Sequence, residues 1–193
     1  LRCRPVAGVL AAWMTHVVRG AAEPELSFQA LGTDGELVSM LRGHVAVADT
    51  SLVSVVTDAS GRRRLRGKAA GSTGLTIGVG DRDAYMSVHV YDPASTFVGM
   101  RPGQHLAVPV TLRGGAMRRW RLPRSSEVYF VTMVGASEHR LPMLAIENAN
   151  CVRSPSPHGF MCAAPEGASV IAYYPRDGNQ AEEVRGTVAV WRQ

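Results

Sequence analysis

The sequence lacks most of the features that announce a function. No Asn-X-Ser/Thr triplet occurs, because Asn148, Asn150 and Asn179 each lack a hydroxyl residue two positions on. That excludes a heavily N-glycosylated ectodomain. Three cysteines, Cys3, Cys151 and Cys162, are too few, and of the wrong parity, for a disulfide framework. Cys151 and Cys162 flank a Pro-rich loop and could pair in an oxidising compartment. After residue 22 no apolar run approaches membrane-spanning length.

Catalytic signatures are missing too. There is no Gly-X-Ser-X-Gly elbow, and Ser137, Glu138 and His139 are adjacent on a turn, where three side chains rarely aim at one substrate. The segment from Gly78 to Asp83 has neither the third glycine of a dinucleotide fingerprint nor the distal glutamate of a calcium loop. Cys151, His158, Met161 and Cys162 bring copper-type ligands together, with His44 available upstream. Their spacing is not that of a blue-copper site, and no Cys or His pairs stand at zinc-finger spacing. No metal ligand set, cofactor or catalytic residue is therefore assigned, and the chain is expected not to be an enzyme. His89, on the polar face of its strand, is read as structural.

Lysine is almost absent as well: of 21 basic residues only Lys68 is one. A bias spread along the whole chain is the mark of a GC-rich genome and lowers the weight of any one arginine cluster. A net charge of +5 and a pI near 9.6 permit a polyanionic partner without requiring one. At 46% hydrophobic and 19% charged residues, the chain is globular rather than disordered.

What the sequence has is periodicity. Residues 1–22 carry Arg2 and Arg4, an apolar run and small residues at the end, the profile of a signal peptide. Val6, Val9, Leu10, Trp13, Met14, Val17 and Val18 recur at spacings of three and four, which predicts a retained N-terminal amphipathic helix that docks on a partner subunit. From residue 23 the period changes to two. Residues 105–112 alternate cleanly, with Leu106, Val108, Val110 and Leu112 on one side; Pro109 predicts an edge strand or a bulge there. Residues 84–91 alternate as well, with Met86, Val88 and Val90 inward. Further short strands are expected at 26–31, 36–41, 44–48, 51–57, 75–79, 117–122, 127–134, 143–147, 169–174 and 186–191. This pattern predicts an all-β fold, a single antiparallel sandwich or barrel over 23–193 of jelly-roll or immunoglobulin-like type.

Two arginine clusters remain. The first, GRRRLRGK, holds Arg62, Arg63, Arg64, Arg66 and Lys68; its glycine spacing and the alanine at position 69 exclude a phosphate-binding P-loop, and it is expected as an exposed hairpin connection. The second holds Arg118, Arg119, Trp120, Arg121 and Arg124, where an indole among guanidinium groups could stack a base. The leading expectation is a non-enzymatic structural or interaction module, a subunit of a virion, capsid, tail or similar assembly with protein partners. A polyanion-binding protein using these arginines comes second. A copper-binding, cupredoxin-like protein is a distant third.

Overall fold

The computed structural model describes residues 6–12, 14–38, 43–135, 141–154, 156, 158–175 and 183–193. Cys3, Trp13, Pro155, Pro157, the Ser137-Glu138-His139 triplet and the turn expected at Asp177 and Gly178 lie outside them. Among the described residues every regular element is a strand, and the sheets do not close into a barrel. The chain divides into two compact units, Leu1–Val90 and Tyr91–Gln193, where a single domain over 23–193 was expected. No composition change marks the division, because one strand carries the chain through it.

In the first unit, β1 (Val6–Ala11), β3 (Phe28–Gly32) and β4 (Leu37–Val38) form one sheet with β3 in the middle. A second set joins β5 (His44–Val47), β8 (Gly71–Val79) and most of β9 (Arg82–Pro93), with β2 (Met14–Val18) also on β9. β6 (Val53–Thr57) and β7 (Arg63–Gly67) make a hairpin. Alternation explains the core: Leu75 and Ile77 from β8 and Met86, Val88 and Val90 from β9 join Val17, Val53 and Leu65 in one buried cluster.

The N-terminal helix is not there. Its residues form β1 and β2, and β1 pairs with β3 in antiparallel register from Ala11 opposite Phe28 to Val6 opposite Gly32, with an irregularity between Val6 and Gly8. In a segment where nearly every residue is apolar or small, a three-and-four spacing is also met by a strand. The β-branched residues Val6, Val9, Thr15, Val17 and Val18, with Gly8, disfavour the helix and fit a pleated surface. Val17 lies in the core, Val9 packs against it and Leu10 is half exposed, so these side chains do not form one docking face.

The second unit has two layers. One is the sheet β14 (Asn150–Arg153), β15 (Gly159–Ala164), β12 (Ser125–Val134), β17 (Glu183–Arg192) and β10 (His105–Arg113), which the last residues of β9 join in parallel. The other is β11 (Met117–Arg121), β16 (Ser169–Tyr173) and β13 (Met143–Glu147). Both layers deliver side chains to one core, Val108, Val110, Leu112, Val131 and Val188 from the first and Val170 and Ala172 from the second. β10 follows its expected alternation from Val108 to Leu112, while His105 and Ala107 on the opposite face are buried as well. Pro109 is opposite Thr187 of β17, beyond the two residues that pair with β9, so its missing N–H costs no second ladder. The buried Tyr129 donates its hydroxyl to the Pro123 carbonyl at 2.9 Å, tying the start of β12 to the preceding turn.

The Pro-rich segment expected as a surface loop is mostly the hairpin β14–β15. Cys151 is directly opposite Cys162, and the two are joined by a disulfide. A sulfur in a disulfide is no thiolate ligand, which removes the copper reading of that loop. We predict that the protein isolated without reductant contains this bond, seen as a two-hydrogen deficit in the intact mass. Cys151→Ser should lower stability by about 2–3 kcal/mol in denaturant titration, the value for closing a short loop.

Candidate functional site

In the first arginine cluster Arg63, Arg64 and Arg66 sit on β7, with Arg62 in the turn before it and Lys68 just after it. The turn between β6 and β7 is built by Asp58, whose Oδ1 accepts hydrogen bonds from the Ser60 amide at 2.9 Å and the Arg62 amide at 3.0 Å. Gly61 supplies the positive φ of 81° that closes it. The hydrogen bond from the Ser60 hydroxyl, ahead of those from the backbone amides and Arg64, holds the Asp58 carboxyl well below the usual range. The same carboxylate takes Arg64 Nε at 3.2 Å and lies 3.5 Å from Arg62 Nε. Arg66 pairs with Glu23, and Arg62 also faces Glu25 at 3.7 Å.

Lys68 donates to the Thr50 carbonyl at 2.9 Å, and Arg63 Nη2 to the Gly43 carbonyl at 2.5 Å. Arg63 Nη1 is buried with no hydrogen-bond partner. Apart from that nitrogen, the cluster's charge is answered locally, by carboxylates and carbonyls from β-turns and neighbouring segments.

The second cluster belongs to the other unit and is arranged differently. β11 and β13 both pair with β16 without any shift of register, so three rows cross the sheet on its outer face: Met117–Tyr173–Met143, Arg119–Ile171–Ala145 and Arg121–Ser169–Glu147. Although Arg118 at the end of its row is exposed, the intervening rows point inward. There Trp120 packs against the core, edge-on to the buried Phe97 with centroids 6.4 Å apart, instead of presenting its face to a base.

The outer rows grade from apolar to charged. Met117 is 65% exposed and Met143 50%. A cleft of about 390 Å³ runs along this end, lined by Met117, Ile171, Tyr173 and Pro175. In the middle, Arg119 reaches across to Glu147 with Nη2–Oε2 at 3.0 Å. At the charged end, Arg119, Arg121, Arg124, Asn148, Glu166 and Ser169 line a second cleft of about 400 Å³. Among the described residues Arg118, Arg121 and Arg124 have no carboxylate within ion-pair distance, in contrast to Arg62, Arg64 and Arg66.

Sequence reasoning named Arg119 and Arg121 but missed Met117, Met143, Ile171 and Tyr173. The signal was available in the alternation of residues 143–147 and 169–173, whose odd-numbered members face outward.

His89 belongs to a buried cluster in the first unit. Its Nδ1 is 2.8 Å from Ser72 Oγ, and its ring stacks on His16 with centroids 5.7 Å apart. Burial, then the nearby His89, lowers the His16 pKa to about 3. His105 in the second unit is lowered as well, by burial, against the opposing pull of the Gly103 carbonyl and Asp92. His44 lies 3.8 Å from Asp83 on the next strand but one. No group of three or more metal-ligating side chains occurs among the described residues.

No protein-family model matches the sequence, and no curated protein matches it. Among solved structures, the S-layer protein rSbsC aligns at 9% identity with a TM-score of 0.35, over 95% of this chain and 28% of that one. Domains 5-6 of the S-layer protein SbsC align at 13% identity and 0.34, over 95% of each chain. An endo-fucoidan hydrolase of glycoside hydrolase family 107 aligns at 10% and 0.31, over 92% of this chain and 28% of that one. Similarity of this size carries neither fold nor function from these proteins to this chain. No helix among the described residues is long and apolar enough to cross a membrane.

The histidines generate a pH prediction. Below pH 6.5 the unfolded chain takes a proton at His16 that the folded chain refuses until about pH 3. The folded state should thus be most stable above pH 6.5 and lose up to about 1.4 kcal/mol per pH unit as the pH falls through that window. Denaturant titrations between pH 7.5 and 5 should show this slope, and His16→Leu should reduce it, leaving the part that His105 contributes.

Proposed function

We propose that the chain is a non-enzymatic interaction module, a subunit of a larger protein assembly of virion, capsid or tail type. On this reading a β-sandwich, of jelly-roll or immunoglobulin-like type, carries the docking face formed by β11, β16 and β13. The observation that carries the reading is the row Met117–Tyr173–Met143. It sets two largely exposed methionines on either side of a tyrosine, in register, on the sheet face that the core does not use. Exposed apolar groups gathered on one face mark a protein contact more often than singly scattered ones do, and methionine is the residue that moulds itself to a partner.

The test is the native state of the full chain in its source. Mass photometry of the isolated complex should place the chain in a species well above its own 20.7 kDa, and Met117→Asp with Met143→Asp should release it as a folded monomer. A wild-type chain found alone at monomer mass would count against the reading.

A second reading, polyanion binding, is favoured by Arg121 and Arg124, which line the 400 Å³ cleft outside any ion pair among the described residues, although Glu166 lines it too. Binding to a nucleic acid duplex should then weaken steeply with salt. Arg124→Gln should flatten the log–log slope by about one, while Arg66→Gln, whose charge is already paired with Glu23, should leave it nearly unchanged.

A further inference from the structure

We infer that the partner on the outer face of β11, β16 and β13 is a second copy of this chain, related by a two-fold axis running along β16. The inference rests on the docking-face reading above and specifies its occupant. Two sheets stacked face to face about such an axis keep each row over itself and exchange the flanking strands, so β11 of one copy lies over β13 of the other. The in-register rows then complement themselves. Met117 meets Met143 of the other copy, Ile171 and Tyr173 each meet themselves, and Arg121 falls above Glu147, twice by symmetry. Sheets pack about 10 Å apart, a gap that an arginine and a glutamate side chain together span.

Charge selects this axis over its rival. A two-fold axis across the strands would reverse the rows and lay Arg121 over Met117, burying a guanidinium against a thioether with no acceptor, which is unfavourable. The arrangement along β16 sets one charge over an apolar residue, Arg119 over Ala145, and there the guanidinium is already held by Glu147 of its own copy. Glu147 would then serve both its own Arg119, at 3.0 Å, and Arg121 of the other copy. The face is small, roughly 14 by 17 Å from strand spacing and rise. A face this small lies below the area of standard transient interfaces, so the single contact is weak and gains strength only by being repeated in an assembly.

Sedimentation velocity of the purified full chain, from micromolar to submillimolar concentration, tests this. A reversible monomer–dimer equilibrium is expected. Arg121→Glu alone and Glu147→Arg alone should each weaken it roughly tenfold, by placing like charges opposite one another. The double reversal should recover most of the loss, short of the parent value by the like-charge contact that Glu147→Arg makes with Arg119. Circular dichroism checks that each variant folds; should a reversal unfold the chain, Arg121→Gln and Glu147→Gln test the same contact with a smaller loss.

A chain that stays monomeric throughout, or single and double reversals that behave alike, would overturn the inference. If the purified chain is monomeric while the native complex is large and released by the methionine substitutions, the second copy is wrong and the docking face stands. If neither associates, both fall.

Discussion

The strand β16 is the constraint on which the second unit and its surface depend. It is hydrogen-bonded on both edges, to β11 and to β13, and the residues from Ser169 to Ala172 are buried. Because side chains alternate strictly along a strand, one face of β16 sends Val170 and Ala172 into the core while the other places Ser169, Ile171 and Tyr173 outward. With no bulge in either ladder, the flanking strands repeat that choice row by row. The inward tryptophan and the outward arginines of β11 are thus one decision, since turning Trp120 out would turn Arg119 and Arg121 in. A one-residue slip would bury two guanidinium groups in an apolar core, and that penalty pins the register.

The period of two was legible, and with it the all-β class and much of the core of β9 and β10; Pro109, read as marking an edge strand or a bulge, lies instead in an interior strand, past the short ladder to β9. Three further things were not legible. The first 18 residues fit both periods because apolar and small side chains fill nearly every position, and only pairing with β3 and β9 decides between them. Position 61 marks a turn correctly, but Arg63, Arg64 and Arg66 read as loop although they occupy a strand. A hairpin strand that is half solvent-exposed tolerates charges on alternate positions, and Leu65, its one buried residue, leaves too short a pattern to count. Cys151 and Cys162 looked like loop ends because the prolines between them break the alternation; the two short strands on either side are set by cross-strand pairing that no local window contains.

The two arginine clusters make the same point about charge. In sequence they look alike. In the structure the first is answered by Asp58, four residues upstream of Arg62, and by Glu23, 43 residues away from Arg66. The second has one cross-strand partner, Glu147, 28 residues from Arg119. Composition cannot separate a neutralised cluster from an available one, because the neutralising carboxylate arrives through the fold. Exposed pairs of this kind contribute little to stability, but they decide where uncompensated positive potential remains, and here it remains around Arg121 and Arg124.

On the proposed docking reading, the outer face of β16 combines apolar side chains with a flexible cover. Ile171 is only 6% exposed although its row points away from the core, and the cleft it lines is shared with Met117, an unbranched thioether, and Arg119, whose long stem can cover apolar surface while its head stays in water. Both can swing aside at the cost of side-chain rotations, uncovering an isoleucine and a tyrosine without moving the backbone. Branched residues in the same positions would hold one shape and suit one partner surface only. The flexible cover lowers the penalty for standing exposed and leaves the apolar gain to be collected on contact. Such a face suits weak contacts repeated many times better than a single tight one.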